Sequence, residues 1–559
     1  MSTTEAIRVP VLIVGGGIVG LSASLFLSHH GIHSLLVERH SGTSIHPRAR
    51  SVNARTMEIF RNMGLSDMVR EAGSSLVPSF GIHSGTSLKS IMDAKPRRED
   101  KTADKPKMKF VSSSKTGPED GIFVTQDMLE PVILKAARES GGDVRFYIEC
   151  IGVEQDQEKV TATIRDRETG DKLTVIADYL IAGDGAKSPI RSQLGVSTTG
   201  CGAIGHMLSI LFHADLKSLV KRREFSICVV NNPEVVGSLT AINNSDRWVF
   251  HLSYDPAKGE KPEDFPPEKC KDLLRIALGI PDIDIEIVSI LPWEPTVQVV
   301  TKLQHSRIFH AGDAAHTMPP YGGQGANTAI SDAYNLAWKI SAVLKHQAGP
   351  GLLQTYDIER LPVGKAAAEA SATVADERGI IYAKISWGAL MGYASILPIT
   401  SGFGYVYSSQ SPAVVGESRW PLGGVTWKAW SVPSLLFSMD GRPGSRAPHV
   451  WVEKDGNRIS TLDLFGKEFV LVAGSAGDSW VEACQEVKKK FSCLEFTTYG
   501  VGPKAEIVDT QRRWETAAGI SSTGALLVRP DGYVAWRQRR APAHLQDMLE
   551  GVMREILCL

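Results

Sequence analysis

The sequence predicts an α/β fold of several parts: a parallel, dinucleotide-binding sheet, an inserted block of mostly antiparallel strands, and a separate C-terminal α/β unit. Three observations predict it. VLIVGGGIVGLSASLFL, opening at Val11, reads as apolar strand, glycine turn and helix, with Glu38 at the end of the next strand. Two further turns rich in glycine and aspartate lie far downstream, IAGDGAKSPIR at 181–191 and IFHAGDAAHTMPPYGGQGANTAISDAYNLAWK at 308–339. Short strand-like runs fill 205–300, and 442–559 has its own strand and helix pattern.

Val9–Val14 forms a buried strand, Ile18–His29 a helix and Ser34–Glu38 a second strand, a βαβ start. Between the first two stands Gly15-x-Gly17-x-x-Gly20. Its glycines allow a tight turn, a close backbone approach to a pyrophosphate, and close packing of helix on strand. The phosphate then meets unpaired amides at a helix N-terminus. Glu38 follows about 20 residues on, where a carboxylate accepts from ribose hydroxyls. Gly15, Gly17, Ile18, Val19 and Gly20, with Glu38 and Arg39, are the candidate dinucleotide contacts of this Rossmann-like unit. Gly183-x-Gly185 runs on to Ser188 and not to a third glycine, so any nicotinamide cofactor binds without a Rossmann domain of its own.

Bulk properties narrow the function classes. The 559 residues carry 61 basic and 62 acidic side chains, a formal charge of −1, which gives no reason to expect nucleic acid or an anionic membrane as partner. Seven scattered cysteines without a C-x-x-C pair argue against a disulfide framework or a metal site and fit a reducing cytoplasm. The apolar run 9–27 resembles a signal core, but Arg8 precedes a strand-like stretch that ends in glycines at dinucleotide-loop spacing, so no secretion signal is expected. Residues 385–415 are uncharged and long, yet broken by Pro398 and several glycines, so they read as an interdomain segment and no membrane span is expected. The charged stretch 95–107 reads as a solvated loop.

Further along, Thr125 caps a helix over 127–139, and strands are expected at 210–212, 224–230, 239–242 and 248–254, with Asn243–Asp246 as a turn. Strict alternation predicts another strand over 283–287. Trp248, Phe250 and Leu252 share one face, read as core; Arg247, Val249 and His251 share the other. Helices are expected at 326–344 and 360–377, a boundary at 441–444, and then strands at 469–473, 524–528 and 533–536 with helices at 480–491 and from His544.

These motifs together resemble the group A flavoprotein monooxygenases, the para-hydroxybenzoate hydroxylase and phenol hydroxylase family. Asp184-Gly185 with Ser188 and Arg191 resembles the family's second motif, whose Asp is associated with FAD and NADPH. Gly312-Asp313 resembles the third, in which the Asp binds the ribityl chain. Pro319-Pro320 and Gly322 to Asn327 resemble the loop beside the isoalloxazine ring, implying contacts from Pro320 and from Gly325, Ala326 and Asn327. Amides at a helix start suit the negative charge of reduced flavin near N1. His46 to Glu58 resembles the arginine loop, with Arg48 reaching phosphates, and Gln126 stands where the family has a flavin-contacting glutamine. The last part resembles a thioredoxin-like domain, carried by Arg442–His449, Leu462–Gly466 and Leu527–Gly532; lone Cys484 implies no redox role, and support of a homodimer is the role considered.

The resemblance implies an FAD- and O2-dependent monooxygenase that consumes NADPH (or NADH) and hydroxylates an aromatic, phenolic or polyketide-derived molecule through a C4a-hydroperoxyflavin. Baeyer–Villiger insertion and epoxidation stay open on the same scaffold, and a non-catalytic binding protein like the Rab GDP-dissociation inhibitors is the rival from another class. The chain departs from phenol hydroxylase at Arg50, where that enzyme has an assisting Asp. Arg50 remains the one catalytic candidate, weighed against an exposed or phosphate-pairing arginine. The implied domains are FAD-binding over 1–80, 115–200 and 301–380, substrate-binding and interdomain over 81–114, 201–300 and 381–440, and thioredoxin-like over 441–559.

Overall fold

The computed structural model describes residues 6–76, 81–94, 116–376, 378–381, 405–416, 440–491 and 494–559. The charged stretch 95–107 and most of 385–415 lie outside them. No described helix is long and apolar enough to cross a membrane.

The expected βαβ start heads the largest sheet. Strands Ile308–His310, Lys172–Ala182, Ile7–Val14, Ser34–Glu38 and Asp143–Phe146 lie side by side in that order, all parallel. Alternation along Ile7–Val14 sends Val11 and Ile13 to one face and Leu12 and Val14 to the other. The first face is covered by helices Ile18–His29, Gln126–Glu139 and Gln324–Leu344. The second packs under the antiparallel pair Ile148–Gln155 and Val160–Asp166. Both faces being covered explains why the strand reads as an unbroken apolar run.

A second sheet has the order Glu286–Trp293, Met207–His213, Arg247–Ser253, Val236–Ala241, Ile227–Asn231 and Ile82–Gly85, antiparallel except for the last pair. Trp248, Phe250 and Leu252 join its buried core with helix Pro267–Leu278, as their alternation predicts. The strand expected over 283–287 begins instead at Glu286 and runs to Trp293. Gly279 closes the preceding helix in the left-handed region, and Ile283 N–H donates back to Ile280 O, which occupies the backbone that pairing would need. The helix expected over 360–377 is one helix from Gly351 to Ala372 that passes through Pro362, held by buried Leu352, Tyr356 and Val363. Packing of that face outweighs the hydrogen bond lost at Pro362.

The C-terminal part centres on parallel Phe469–Ala473 and Phe496–Gly502, extended by antiparallel Ala525–Val528 and Val534–Gln538. Helices Asp478–Lys490 and Leu545–Leu557 share its core with Trp338 and Leu352 of the large domain.

Candidate functional site

The three turns meet at the carboxyl ends of three adjacent strands. Gly15 N–H donates to Val37 O (2.9 Å), Gly183 N–H to Val14 O (2.8 Å) and Ala311 N–H to Ala182 O (3.1 Å). Gly15 has φ +109°, and a Cβ there would lie 2.2 Å from Gly183 O; one on Gly20 would lie 1.8 Å from Gly15 O. These glycines are therefore required by contact between turns. Gly17 differs: a Cβ would meet only Glu130 Oε1, at 3.7 Å, so its surroundings are open on the side a phosphate would take. Gly17 also caps helix Ile18–His29 without any side-chain bond, leaving that helix's first amides, those of Ile18 and Val19 among them, for a ligand.

Glu38 accepts from Gly16 N–H (2.5 Å) and His40 N–H (2.8 Å), which fixes its carboxylate beside the turn with lone pairs remaining. Arg39 is exposed, and its carbonyl accepts from Arg167 (2.8 Å). Arg48 is exposed as well, yet its charge acts on Glu130, His46 and Asp313, so it stands over the same cleft. Gln126 starts its helix and donates to Glu130 (2.7 Å).

Asp184 Oδ2 accepts from Ile190 N–H (3.1 Å), while Oδ1 is buried with no partner. Arg191 ties the second turn to the third, donating to Ala314 O (3.0 Å) and Ala186 O (2.6 Å). Asp313 is surrounded by protein mass but reachable by water, so it lines an internal cleft. Burial raises its carboxyl above the usual range, opposed by His316 and Arg48. Behind it Asp332 joins His316 Nε2 (2.7 Å), Arg360 Nε (2.8 Å) and Gly312 N–H (3.3 Å), all out of contact with water. Burial alone would raise Asp332; Arg360 and His316 hold it below the carboxylate range.

Helix Gln324–Leu344 begins after Gly323 in the left-handed region, and a Cβ on Gly325 would meet nothing within 4 Å. The amides without intrahelical partners are those of Gln324, Gly325 and Ala326. Asn327, one position deeper, is buried, and its side chain accepts from Asn53 N–H (2.9 Å) and Thr56 Oγ1 (2.6 Å) and donates to Gly323 O (2.6 Å). It fastens the arginine-loop helix to the start of this one. Pro320 is exposed, and its carbonyl accepts from Gly323 N–H (3.2 Å).

Arg50 takes neither of the positions weighed against a catalytic role. It is neither fully exposed nor placed among phosphate-binding groups. Its guanidinium crosses to the second sheet, bonding Ser226 O (3.3 Å) and Ser226 Oγ, over the Phe123 ring at 5.4 Å. Segment Ser51–Val52 pairs with Ile122–Phe123, which turns Arg50 toward that sheet. Burial lowers its pKa to about 10, so it stays a cation at neutral pH.

The face of the second sheet opposite Trp248 looks onto this cleft. Leu211 and Val249 pack on Leu76, Phe123 and Met128; Ile227 and Val229 pack with Tyr321 and Met318 of the third turn; Arg247 pairs with Asp127 (2.7 Å). Tyr405 and Tyr407 are buried in the same cluster as Tyr321, where Tyr407 stacks on Tyr533 at 4.2 Å and meets Arg360 (3.3 Å).

Comparison with known proteins decides the family. Residues 8–371 match the FAD binding domain family and 440–557 the aromatic-ring hydroxylase C-terminal family. The chain belongs to this family of FAD-binding aromatic-ring hydroxylases. It is 37% identical to the tetracenomycin A2 monooxygenase-dioxygenase of Streptomyces glaucescens over 100% of this chain and 98% of that one. It is 36% identical to the 4-methyl-5-nitrocatechol 5-monooxygenase of a Burkholderia species, covering 100% and 99%. The structure of aklavinone-11 hydroxylase with FAD and aklavinone superposes with TM-score 0.83 at 33% identity, each chain covered to 100%. The protein is an FAD-dependent monooxygenase.

The residues present fit FAD: the open approach at Gly17, the unpartnered Asp184 Oδ1, the water-reachable Asp313 and the free helix start at Gly325 each offer what one end of the dinucleotide needs. Ligand hydroxyls donating to Asp313 would favour its ionised form and lower a pKa that burial has raised. FAD affinity is then expected to be full above that raised pKa and to fall as acidification protonates the carboxyl. Asp313→Asn is expected to weaken binding at neutral pH and to flatten this dependence, as read by FAD titration across pH.

Glu130 was not foreseen. It is buried, accepts from Ser44 N–H (2.7 Å) and Gln126 Nε2 (2.7 Å), and burial, aided by Glu38, raises its pKa. The signal available was its position four residues after Gln126, one helical turn along the same face.

Proposed function

We propose that this monooxygenase hydroxylates a phenolic, fused-ring aromatic compound, with NADPH as reductant. The observation that carries the reading is the cleft between the third turn and the second sheet. Partly buried Ile227, Val229 and Met318 beside Tyr321 make one end of it apolar, packed Leu211 and Val249 close the other, and Arg50 adds one cation. Such walls favour a flat ring system and exclude water. The relatives named for tetracenomycin and aklavinone, both matched along their length, support a polycyclic substrate.

Bound FAD, reduced by NADPH, would supply the activation of O2, of which one atom goes to the ring and the other leaves as water. The chain's own residues do the remainder. The amides of Gln324 to Ala326 stabilise negative charge at the flavin's N1 edge. Arg50, held by Ser226 and Phe123, stabilises a phenolate oxygen, which makes the ring electron-rich. The apolar walls keep water from diverting the oxygen into hydrogen peroxide.

The test is turnover of a polycyclic phenol under 18O2. One labelled oxygen in the product is expected, with NADPH consumed in step. Product without label, or peroxide alone with every polycyclic phenol tried, contradicts the reading. Arg50→Met is expected to lower hydroxylation about 10- to 100-fold and to divert NADPH oxidation to peroxide, with FAD content unchanged.

A further inference from the structure

One lateral row on the cleft-facing side of the second sheet is unlike its neighbours. Pairing register sets Leu291, Ser209, His251, Ser238 and Val229 side by side on five adjacent strands. The next row on that face, Leu211, Val249, Thr240 and Ile227, is mainly apolar and packs against the flavin-binding part. The first row therefore places a polar stripe inside an otherwise apolar roof.

His251 is its centre. It stands on an inner strand whose opposite face is packed shut, with Phe250 at 1% and Leu252 at 3% exposure. Yet His251 is half-buried, surrounded by protein and still reachable by water, so the space it opens onto lies on the cleft side. Nδ1 is 2.9 Å from Ser209 Oγ, and the ring leans on Trp293 at 5.5 Å. Ser238 stands directly across from it. Burial, with His46 adding to it, lowers the pKa to about 4, so the ring is neutral at physiological pH.

The groups facing it from the arginine loop and helix Gln126–Glu139 point the same way. His46 is buried with neither ring nitrogen partnered, and Asp127 pairs with Arg247 through Oδ2 while Oδ1 is buried without a partner. Buried polar atoms are nearly always bonded, and a set of them around one cleft fits a ligand that carries polar atoms of its own.

We propose that His251 is a specificity-determining residue that hydrogen-bonds, through Nε2, a ring hydroxyl on the edge of the aromatic substrate, with Ser209 setting its orientation and tautomer. The proposal rests on the reading of this cleft as the aromatic-substrate site. A neutral imidazole with Nδ1 engaged by Ser209 offers one remaining nitrogen to the ligand. It suits a hydroxyl and gives no charge to a carboxylate. Flanking Val229 and Leu291 contact the flat ring, while the stripe reads its oxygenated edge. A ligand lacking that hydroxyl leaves the nitrogen unpaired and binds about 10- to 100-fold more weakly.

The experiment uses FAD-loaded protein and two probes, 1,8-dihydroxyanthraquinone and unsubstituted anthraquinone, with binding followed by the change in flavin absorbance. Wild type is expected to prefer the dihydroxy probe about 10- to 100-fold. His251→Leu is expected to reduce the preference below about threefold by weakening the dihydroxy probe alone, His251→Gln to restore part of it, and Ser209→Ala to lie between. Flavin content reports whether each variant is folded. A His251→Leu holoenzyme that keeps the wild-type preference, or that loses both probes equally, overturns the role of His251 while leaving the cleft assignment standing. Failure of the wild-type holoenzyme to bind either probe removes the cleft assignment, and the role of His251 falls with it.

Discussion

Gly15→Ala is expected to give a protein that purifies without flavin. The residue sits at φ +109°, where a side chain costs about 1–3 kcal/mol. The added Cβ would also lie 2.2 Å from Gly183 O, a backbone atom of the second turn. Neither atom belongs to a flexible side chain, so the overlap is relieved only by parting the two strand ends. That separates the first and second turns, the two expected to cradle the dinucleotide together. Together the effects predict FAD binding weakened by at least about 100-fold. The ratio of flavin to protein absorbance and titration with added FAD check this. Gly152→Ala is the control: a Cβ there meets nothing within 4 Å, and flavin content should match wild type.

Arg529→Met is expected to cost about 3–5 kcal/mol of stability, the largest effect of any single change away from the flavin. Arg529 is completely buried and grips Glu359 with two bonds (2.6 and 2.9 Å) and Asp531 with two more (3.0 and 2.5 Å). Glu359 also accepts from Lys339 (2.8 Å), Asn335 (2.8 Å) and Ser411 (2.7 Å). Losing the guanidinium leaves two carboxylates buried in a space where one ammonium remains. The methionine fills the volume, so the measurement isolates the charge. A denaturant midpoint well below wild type is expected, and an unchanged midpoint would contradict the assignment. Lys490→Ala, which removes an exposed partner of Glu550, should cost no more than about 1 kcal/mol. Acid should act in the same direction. Burial alone would raise Glu359, but Arg529 and Lys339 hold it well below the usual range, so its contribution is present above the unfolded pKa and is lost as pH falls beneath about 4.

This cluster gives the C-terminal part a role beyond attachment. Asn335 and Lys339 stand on helix Gln324–Leu344, which starts at the third turn, and Arg55, which follows the arginine loop, donates to Asp531 O (2.6 Å). Arg446 pairs with Glu58 on the same short helix (3.0 Å). Two elements that line the flavin cleft are thus anchored from behind by the last 120 or so residues of the chain.

What the sequence made legible follows from the range of each signal. The glycines of the first turn, Glu38 and the helix Ile18–His29 were readable because the constraint acts within about 25 residues, through fixed spacing and strand or helix period. The alternation Trp248–Phe250–Leu252 gave the buried face of the second sheet for the same reason. Asp332, Glu359 and Arg360 were not readable. Each lies in a helix that scans as apolar or mixed, and the partner that makes its burial tolerable is distant in sequence: Asp332 meets Arg360, 28 residues on, and Glu359 meets Arg529, 170 residues on. The direction Arg50 takes was not readable, because its neighbours in sequence are phosphate-side residues while a two-residue strand pairing turns it to the other side of the loop. The roof of the cleft was hidden for a further reason. Which row of a sheet faces a ligand depends on the register between strands, and no single strand carries that information.

The account stands on three distant turns gripping one flavin dinucleotide, and FAD titration of flavin-stripped protein tests it most directly. Saturation at one FAD per chain is predicted, with affinity lost in Gly15→Ala and reduced in Asp313→Asn. A stripped protein that remains folded by circular dichroism and takes up no FAD would contradict it.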